Sequence, residues 1–361
     1  MRECHSPKLG PHRRFTRLGR VRARLIPRRS TGERSLSCRA PWVALALLSI
    51  AGGAACGISP SVVTPNQASS AGDFTVVTLP DTQYYAAAHP EILDAQIAWI
   101  SRQAAAQNIA FVLHEGDIVD ADEPAQWARA SGSLHVLDGV VPYVLSTGNH
   151  DYARSGAVIT RRTLVDRYFP PPSTGLFEPG RIENRYEILP APGGPWLILS
   201  LEFGPRDSVL AWADRVAKRF AALPAIVVTH AYLASDNVRF DHVGHPEQLF
   251  GPHRYLDDRV AGSVNDGEEI WRKLVARNDN ILFVLCGHDL GDGVGRLESV
   301  RPDGTTVHQI LANYQMQALG GGGYLRLLQF SPGQRRVRVR TYSLFLDRFK
   351  TDPDNDFHLA Y

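Results

Sequence analysis

Five stretches of the chain share one form, an aliphatic and β-branched run that breaks off into Asp, Asn or His. They are FTVVTLPD (74–81), IAFVLHEGD (109–117), VPYVLSTGNHD (141–151), AIVVTHAY (225–232) and ILFVLCGHD (281–289). Continuous apolar runs without alternation predict strands covered on both faces. Helical patterns intervene. In PEILDAQIAWISRQAAAQN (90–108), Leu93, Ile97 and Ile100 share one stripe at i, i+4 and i+7, and Pro90 suits a first helical position. SVLAWADRVAKRFAAL (208–223) and NDGEEIWRKLVARNDN (265–280) read the same way. Further on, VGRLESV, TTVHQILANYQ, YLRLLQF and RRVRVRTYSL predict successive antiparallel strands, with turns at 302–304 and 331–334. Strand alternating with helix implies an α/β fold. Two packed mixed sheets flanked by helices, a four-layer α-β-β-α sandwich, account for both halves.

In open α/β sheets, ligands bind beyond the carboxyl ends of the strands. The polar residues at the five ends are Asp81 and Gln83, Asp117 and Asp120, Asn149, His150 and Asp151, His230, and His288. Carboxylate, amide oxygen and imidazole together suit divalent transition metals; oxygen alone would point to Mg or Ca. A pair of ions about 3.5–4 Å apart can clamp a phosphoryl group and activate a water. Taken singly, each residue has an ordinary reading. A histidine at a strand end is usually a core residue bonded to backbone, and Asn after Gly is turn chemistry. Their concentration at five strand ends is what favours a site. Gly116, Gly148 and Gly287 each precede a proposed ligand, where the lack of a Cβ lets the chain turn sharply. His114 reads as structural, Cys286 as packed, Asp289 and Asp292 as turn residues, and Gly320–Gly323 as a flexible turn.

These motifs resemble the calcineurin-like metallophosphoesterase family. The matching elements are Gly116-Asp117-x-x-Asp120, Gly148-Asn149-His150-Asp151, a lone His230 after an apolar strand, and Gly287-His288, in the family's order across roughly residues 74–342. The LPDTQYY opening and the later LANYQ look like a bacterial branch of it. The resemblance implies a hydrolase of phosphomonoesters or diesters with two divalent ions (Mn, Fe, Zn or Mg) and a metal-bound hydroxide as nucleophile. It implies that Asp117 bridges the ions, that Asn149, His230 and His288 complete one site, and that Asp81 belongs to the other. It makes His150 a proton donor or charge stabiliser, oriented by Asp151. An imidazole near its ordinary pKa of about 6.5 suits either role.

Two departures fall on the second site. The family's Asp-x-His is here Asp81-Thr82-Gln83, and its Gly-His-x-His is Gly287-His288-Asp289-Leu290. Gln83 offers an amide oxygen. Asp120 is a further candidate, since the similar purple acid phosphatases place a ligating tyrosine at the matching position, and Asp292 is a third. One site therefore reads as complete and the other as oxygen-rich. The alternative is a metal-binding module of the same fold with weak or absent catalysis. The connection 231–262 is long enough to be functional, and His242, His245, His253 and Arg254 offer contacts to a substrate anion; the other reading is an exposed variable loop.

Charge narrows the partners. The formal net charge of +2 is an average over two unlike parts. Residues 1–41 hold 12 of the 39 basic residues and only Glu3 and Glu33 of the 37 acids, so the remainder carries −8. A body that acidic disfavours nucleic acid and anionic membranes; the expected partner is a phosphorylated small molecule or another ester. Residues 1–56 have the layout of a secretory leader: a basic segment, the apolar run WVALALLSIAGGAAC (42–56), then small residues. That run is short of the ~20 residues a spanning helix needs. The long basic segment fits a downstream start or a twin-arginine signal at Arg13-Arg14 or Arg28-Arg29. Gly53-Ala54-Ala55-Cys56 resembles a lipoprotein cleavage box, so Cys56 is the one expected membrane tether; ordinary cleavage near Ala55 is the other outcome. Residues 57–73 read as a flexible linker and 74–361 as the domain. The expected location is extracytoplasmic.

Overall fold

A computed structural model describes residues 72–152, 156, 158 and 160–361. The leader, Cys56 and the linker up to residue 71 lie outside the described residues. Thirteen strands run β1 Phe74–Leu79, β2 Ile109–His114, β3 Tyr143–Leu145, β4 Arg185–Leu189, β5 Trp196–Leu201, β6 Ala225–Thr229, β7 Ile281–Cys286, β8 Val294–Val300, β9 Thr306–Ala312, β10 Tyr324–Ser331, β11 Arg336–Ser343, β12 Arg348–Phe349 and β13 Asp356–Ala360. The helices are α1 Gln83–Ala88, α2 Pro90–Gln103, α3 Pro124–Leu134, α4 Val165–Tyr168, α5 Asp207–Arg219, α6 Gly267–Lys273 and a short α7 Ala318–Gly321.

The strands form two mixed sheets. One is ordered β12-β11-β10-β1-β2-β3, with β13 also on β11; the other is β4-β5-β6-β7-β9-β8. In the second sheet the parallel pairs β5/β6, β6/β7 and β7/β9 lie at the centre with antiparallel pairs at both margins; in the first, the parallel pairs β1/β2 and β2/β3 form one side and antiparallel pairs from β1/β10 onward form the other. Alternation along the strands decides the layers. Val76, Phe111, Ile226, Val228, Phe283 and Leu285 point into a shared core between the sheets. Their neighbours Val77, Leu79 and Val112 pack outward with Ile97 and Ile100 of α2 and Trp127 of α3. Val227 and Val284 pack outward with Val209 and Ala213 of α5 and Ile270 of α6. This is the expected α-β-β-α sandwich. Each apolar side chain fully buried in it contributes about 1.5–3 kcal/mol of transfer free energy.

Three points differ from the sequence expectations. The helix expected over 265–280 ends at Lys273, followed by a single 3-10 turn at Val275–Arg277. The four C-terminal strands do not form one meander. β8 and β9 pair antiparallel and dock on β7, whereas β10 and β11 pair antiparallel and dock on β1 in the other sheet. Alternation marks a strand but does not name its neighbour. The pair β4/β5, joined across Pro192-Gly193-Gly194, adds two strands to the expected set, although WLILSL is as apolar as the other runs.

The two sheets are tied where the site lies. Ser146 Oγ, just beyond β3, donates to Leu201 O on β5 at 3.0 Å, and Ser200 Oγ returns a bond to Leu145 O at 3.0 Å. Gly320–Gly323 form a turn with positive φ throughout, packed on Tyr84 and Tyr85, with Gly323 N–H donating to Tyr85 Oη at 3.0 Å.

Candidate metal centre

The parallel strands deliver their polar ends to one place. Asp81 follows β1, Asp117 follows β2 and Asn149 follows β3; His230 follows β6 and His288 follows β7. One sheet thus supplies the oxygens and the other the imidazoles. Ligand atoms of Asp117, His230 and His288, all buried, lie within 4.8 Å of one another. His230 Nε2 is 3.2 Å from Asp117 Oδ2 and 3.8 Å from Asp81 Oδ1. Asp81 accepts the His288 backbone N–H with both oxygens at 3.3 Å.

Carbonyl oxygens fix both tautomers. His230 Nδ1–H donates to Glu115 O at 2.8 Å, and His288 Nε2–H donates to Phe250 O at 2.7 Å. A carbonyl only accepts, so the opposite ring nitrogens carry the lone pairs. Those two nitrogens, His230 Nε2 and His288 Nδ1, face each other at 3.1 Å beside the Asp117 carboxylate. Two lone pairs and an anion converging in a buried space require a cation between them. Without a metal, a proton on His230 must serve. Burial opposes that charge, but Asp117 and Asp81 overcome it and raise the His230 imidazole to about 9. Burial, and then the His230 charge, push His288 down to about 3. Asp117 is driven up by burial yet held at about 2 by His230 above all. Burial lifts Asp81 to about 7. Asn149 Oδ1 is buried without a hydrogen-bond partner, while its Nδ2 donates to Gly156 O at 3.3 Å. An orphaned amide oxygen beside this cluster is a donor that fits a metal. Gln83 Oε1 is buried and unpartnered in the same way.

The backbone is built around these groups. Asp117 (φ 48°) and His288 (φ 75°) occupy the left-handed region, an unfavourable state that surrounding bonds must enforce. Gly116, at φ 97°, needs its glycine for both conformation and space, since a Cβ would lie 2.6 Å from His230 Nδ1. At Gly148 and Gly287 the reason is space alone. A Cβ there would lie 2.1 Å from Asp117 Oδ1 and 2.3 Å from Asp81 Oδ2 respectively. An aromatic wall covers the histidines, with the rings of Phe203 and Tyr255 each 5.3 Å from His288.

His150 donates its backbone N–H to Asp117 Oδ1 at 2.9 Å and its Nδ1–H to Asp120 O at 2.7 Å, which leaves Nε2 to exchange a proton. Burial lowers the His150 pKa, but Asp117 and Asp120 outweigh it and the net shift is upward. Asp151 does not touch the His150 ring. Its carboxylate accepts the N–H groups of Gly148 (2.9 Å), Val119 (3.0 Å) and Ile118 (3.2 Å), so it braces the two loops that carry Asp117 and Asn149. The expected orienting role is thus a bracing one. Asp120 stands outside the three-residue cluster, half-exposed, with Oδ1 3.5 Å from His150 Nδ1.

Asp292 is exposed and, among the described residues, accepts only the Val294 N–H, a turn bond that does not fold back toward the centre. Asp289 accepts the Ser235 N–H at 2.7 Å. His114 is structural as expected: it accepts the Gly116 N–H at Nδ1 and bonds Thr82 Oγ1 through Nε2. The four loop residues do not present an anion site. His245 pairs with Glu247, Arg254 donates to the carbonyls of Gln248 and Pro246, and His242 and His253 turn to carboxylates. Sequence reasoning missed the carbonyls of Glu115 and Phe250, which orient the ligands; backbone groups leave no mark in side-chain identity.

The calcineurin-like phosphoesterase model matches residues 74–292, most of the chain. The chain belongs to the calcineurin-like phosphoesterase family. It is 32% identical over 296 residues to the uncharacterized protein YvnB of Bacillus subtilis (strain 168), covering 76% of this chain and 20% of YvnB. The chain therefore spans about a fifth of that relative's length. Among solved structures it is similar to the NAD nucleotidase NadN of Haemophilus influenzae, at 12% identity and TM-score 0.41, covering 77% of this chain and 49% of the other. It is also similar to GAP50 of Plasmodium, the anchor in the inner membrane complex, at 10% identity and TM-score 0.41, covering 80% and 90%.

Proposed function

We propose that this protein is a metal-dependent phosphoester hydrolase, with two divalent ions held where the sheets meet. The observation that carries the reading is the pair of imidazole lone pairs facing each other beside Asp117, with the orphaned oxygen of Asn149 nearby. Asp117, Asn149, His230 and His288 would hold the better-formed ion; Asp81 and Gln83 would contribute to the second. Bound divalent ions supply Lewis-acid neutralisation of phosphoryl charge and activation of a water. The chain's own part is to fix the donors, exclude water from the histidine side with Phe203 and Tyr255, and move a proton at His150 Nε2. An imidazole bonded through Nδ1–H to a fixed carbonyl is aimed for proton delivery to a leaving oxygen. A phosphorylated small molecule or other ester is the proposed substrate, and an extracytoplasmic location, free or tethered at Cys56, follows from the leader pattern.

A second reading, a metal-binding module with weak chemistry, is favoured by Gln83 and Leu290 and by Asp292, which stays exposed and does not replace the absent histidine. Metal analysis, with turnover of p-nitrophenyl phosphate and bis-p-nitrophenyl phosphate across Mn, Mg, Zn, Fe and Ca, separates the two. Two metals per chain that Asp117→Asn loses, with turnover abolished by the same substitution, support the hydrolase. One metal or fewer, with no ester cleaved, would overturn it.

A further inference from the structure

The connection after His230 gathers a second set of donors that the centre does not use. Single atoms of His242, His253, Asp266 and Glu269 lie within 4.8 Å of one another. Asp266 and Glu269 are the N-cap and third residue of α6, locked by a capping box. Asp266 Oδ1 accepts the Glu269 N–H at 3.0 Å, and Glu269 Oε2 accepts the Asp266 N–H at 3.2 Å. Two histidines approach from the loop. His242 Nδ1 is 2.6 Å from Asp266 Oδ2, and His253 Nε2 is 3.0 Å from Glu269 Oε2 and 3.8 Å from Asp266 Oδ2. Their rings stack at 3.6 Å.

We propose that these four residues form a structural site for a transition-metal dication, zinc in the first instance, that clips the loop onto α6. Three observations support it. The donor set, two imidazoles and two carboxylates, neutralises a dication and suits borderline metals over Mg or Ca. Bonds of about 2.0–2.1 Å in a tetrahedral zinc site place donor atoms about 3.3 Å apart, and the separations above bracket that value. The third is a nearby carboxylate. His253 Nδ1, the ring nitrogen turned away from the carboxylates of α6, is buried without a hydrogen-bond partner, and Asp258 Oδ2 lies 3.4 Å from it, within a small shift of the carboxylate–histidine bond that orients metal-bound imidazoles.

The clip has a consequence for the first centre. Between His242 and His253 the chain carries Phe250, whose carbonyl fixes the His288 tautomer, and just beyond lies Tyr255, whose ring faces His288. Holding the loop on α6 therefore holds one wall of the metal centre.

The test uses the full chain and zinc itself. Crystals grown with zinc should show an anomalous peak at the zinc edge among His242, His253, Asp266 and Glu269, separate from any peak at Asp117, His230 and His288. In solution, zinc-loaded and desalted wild type should retain one zinc per chain more than His253→Ala, and zinc should raise the melting temperature of that variant less. If His253→Ala does not fold, His242→Ala substitutes for it, because it removes a donor and leaves the capping box of α6 intact. Absence of the peak at saturating zinc, or equal zinc in wild type and variant, would overturn the proposal. Neither readout depends on turnover.

Discussion

Replacing Gly148 by alanine tests whether spatial fit at the strand ends holds the centre together. The added Cβ would lie 2.1 Å from Asp117 Oδ1 and 2.5 Å from the Asp117 backbone nitrogen. Turning the carboxylate aside relieves only the first contact, and it would break the bond from His150 N–H at 2.9 Å. An ordinary contact begins near 3.4 Å, so even with the carboxylate turned aside the two segments must part by roughly 0.9 Å (3.4 less 2.5). Overpacking of this kind costs about 1–3 kcal/mol. At roughly 2–4 °C per kcal/mol for a domain of this size, the melting temperature should fall by about 2–12 °C. A displacement near 1 Å at a catalytic group costs on the order of 10²-fold in rate. Gly132→Ala in α3 is the matched control: nothing lies within 4 Å of its Cβ and the backbone is helical. It should stabilise slightly, by up to about 1 kcal/mol from helix propensity, and leave turnover alone. The assay combines calorimetry, metal content and kcat/KM on bis-p-nitrophenyl phosphate. A Gly148→Ala protein with wild-type metal content and rate would refute the reasoning.

Three further outcomes follow from the same geometry. Asp151→Ala leaves three buried N–H groups unpaired, at about 1–3 kcal/mol each, and should lower the melting temperature markedly, with Asp151→Asn falling less; a loss of rate with unchanged stability would instead support an orienting role toward His150. Gln83→His restores the family's Asp-x-His at a position whose side-chain oxygen is buried and unpartnered, so equilibrium dialysis should show higher occupancy of the second ion, and unchanged occupancy would remove Gln83 from that site. Burial raises the Glu269 carboxyl, but the His253 bond and the Asp266 N–H hold it down at about 2. A lowered carboxyl contributes stability above its unfolded pKa of about 4.5 that is lost as pH falls toward 2. The contribution is modest because the carboxyl still reaches solvent, which screens it. In EDTA, the acid limb of melting temperature against pH should be shallower for Glu269→Gln than for wild type; parallel limbs would mean the coupling is absent.

How far the site is legible in the sequence depends on what each residue has to do. Asp117, Asn149, His230 and His288 are readable because a strand end is marked by composition, and five such ends can be collected before any fold is known. The order of strands is less legible. β9 and β10 look alike as alternating runs, yet pair in different sheets, because pairing depends on what lies across the gap. Asp151 belongs to the expected motif but acts differently from the expectation. Spacing shows that it follows His150, not that its oxygens point back to Gly148, Ile118 and Val119. His242 and His253 stand out as loop histidines, but their partners Asp266 and Glu269 merge into a helix pattern, so the cluster emerges only in three dimensions.

The strained backbone at Asp117 and His288 connects these points. Each carries a non-glycine side chain in the left-handed region, an arrangement that persists only where neighbouring bonds over-determine it. At Asp117 the bonds are the His150 N–H on its carboxylate and the Thr82 N–H on its carbonyl. At His288 they are Asp81 on its N–H and Phe250 on its ring. Asp81 and Thr82 follow β1, His150 follows β3, and Phe250 rides on the loop after β6, so three separate connections hold two residues in place. The facing ring nitrogens of His230 and His288 are therefore imposed by the fold. A site prepared in this way needs little reorganisation on binding a cation, and it also explains why clipping the loop that carries Phe250 would matter. Loosening that loop would free the His288 ring to rotate and so uncouple one of the two imidazole donors.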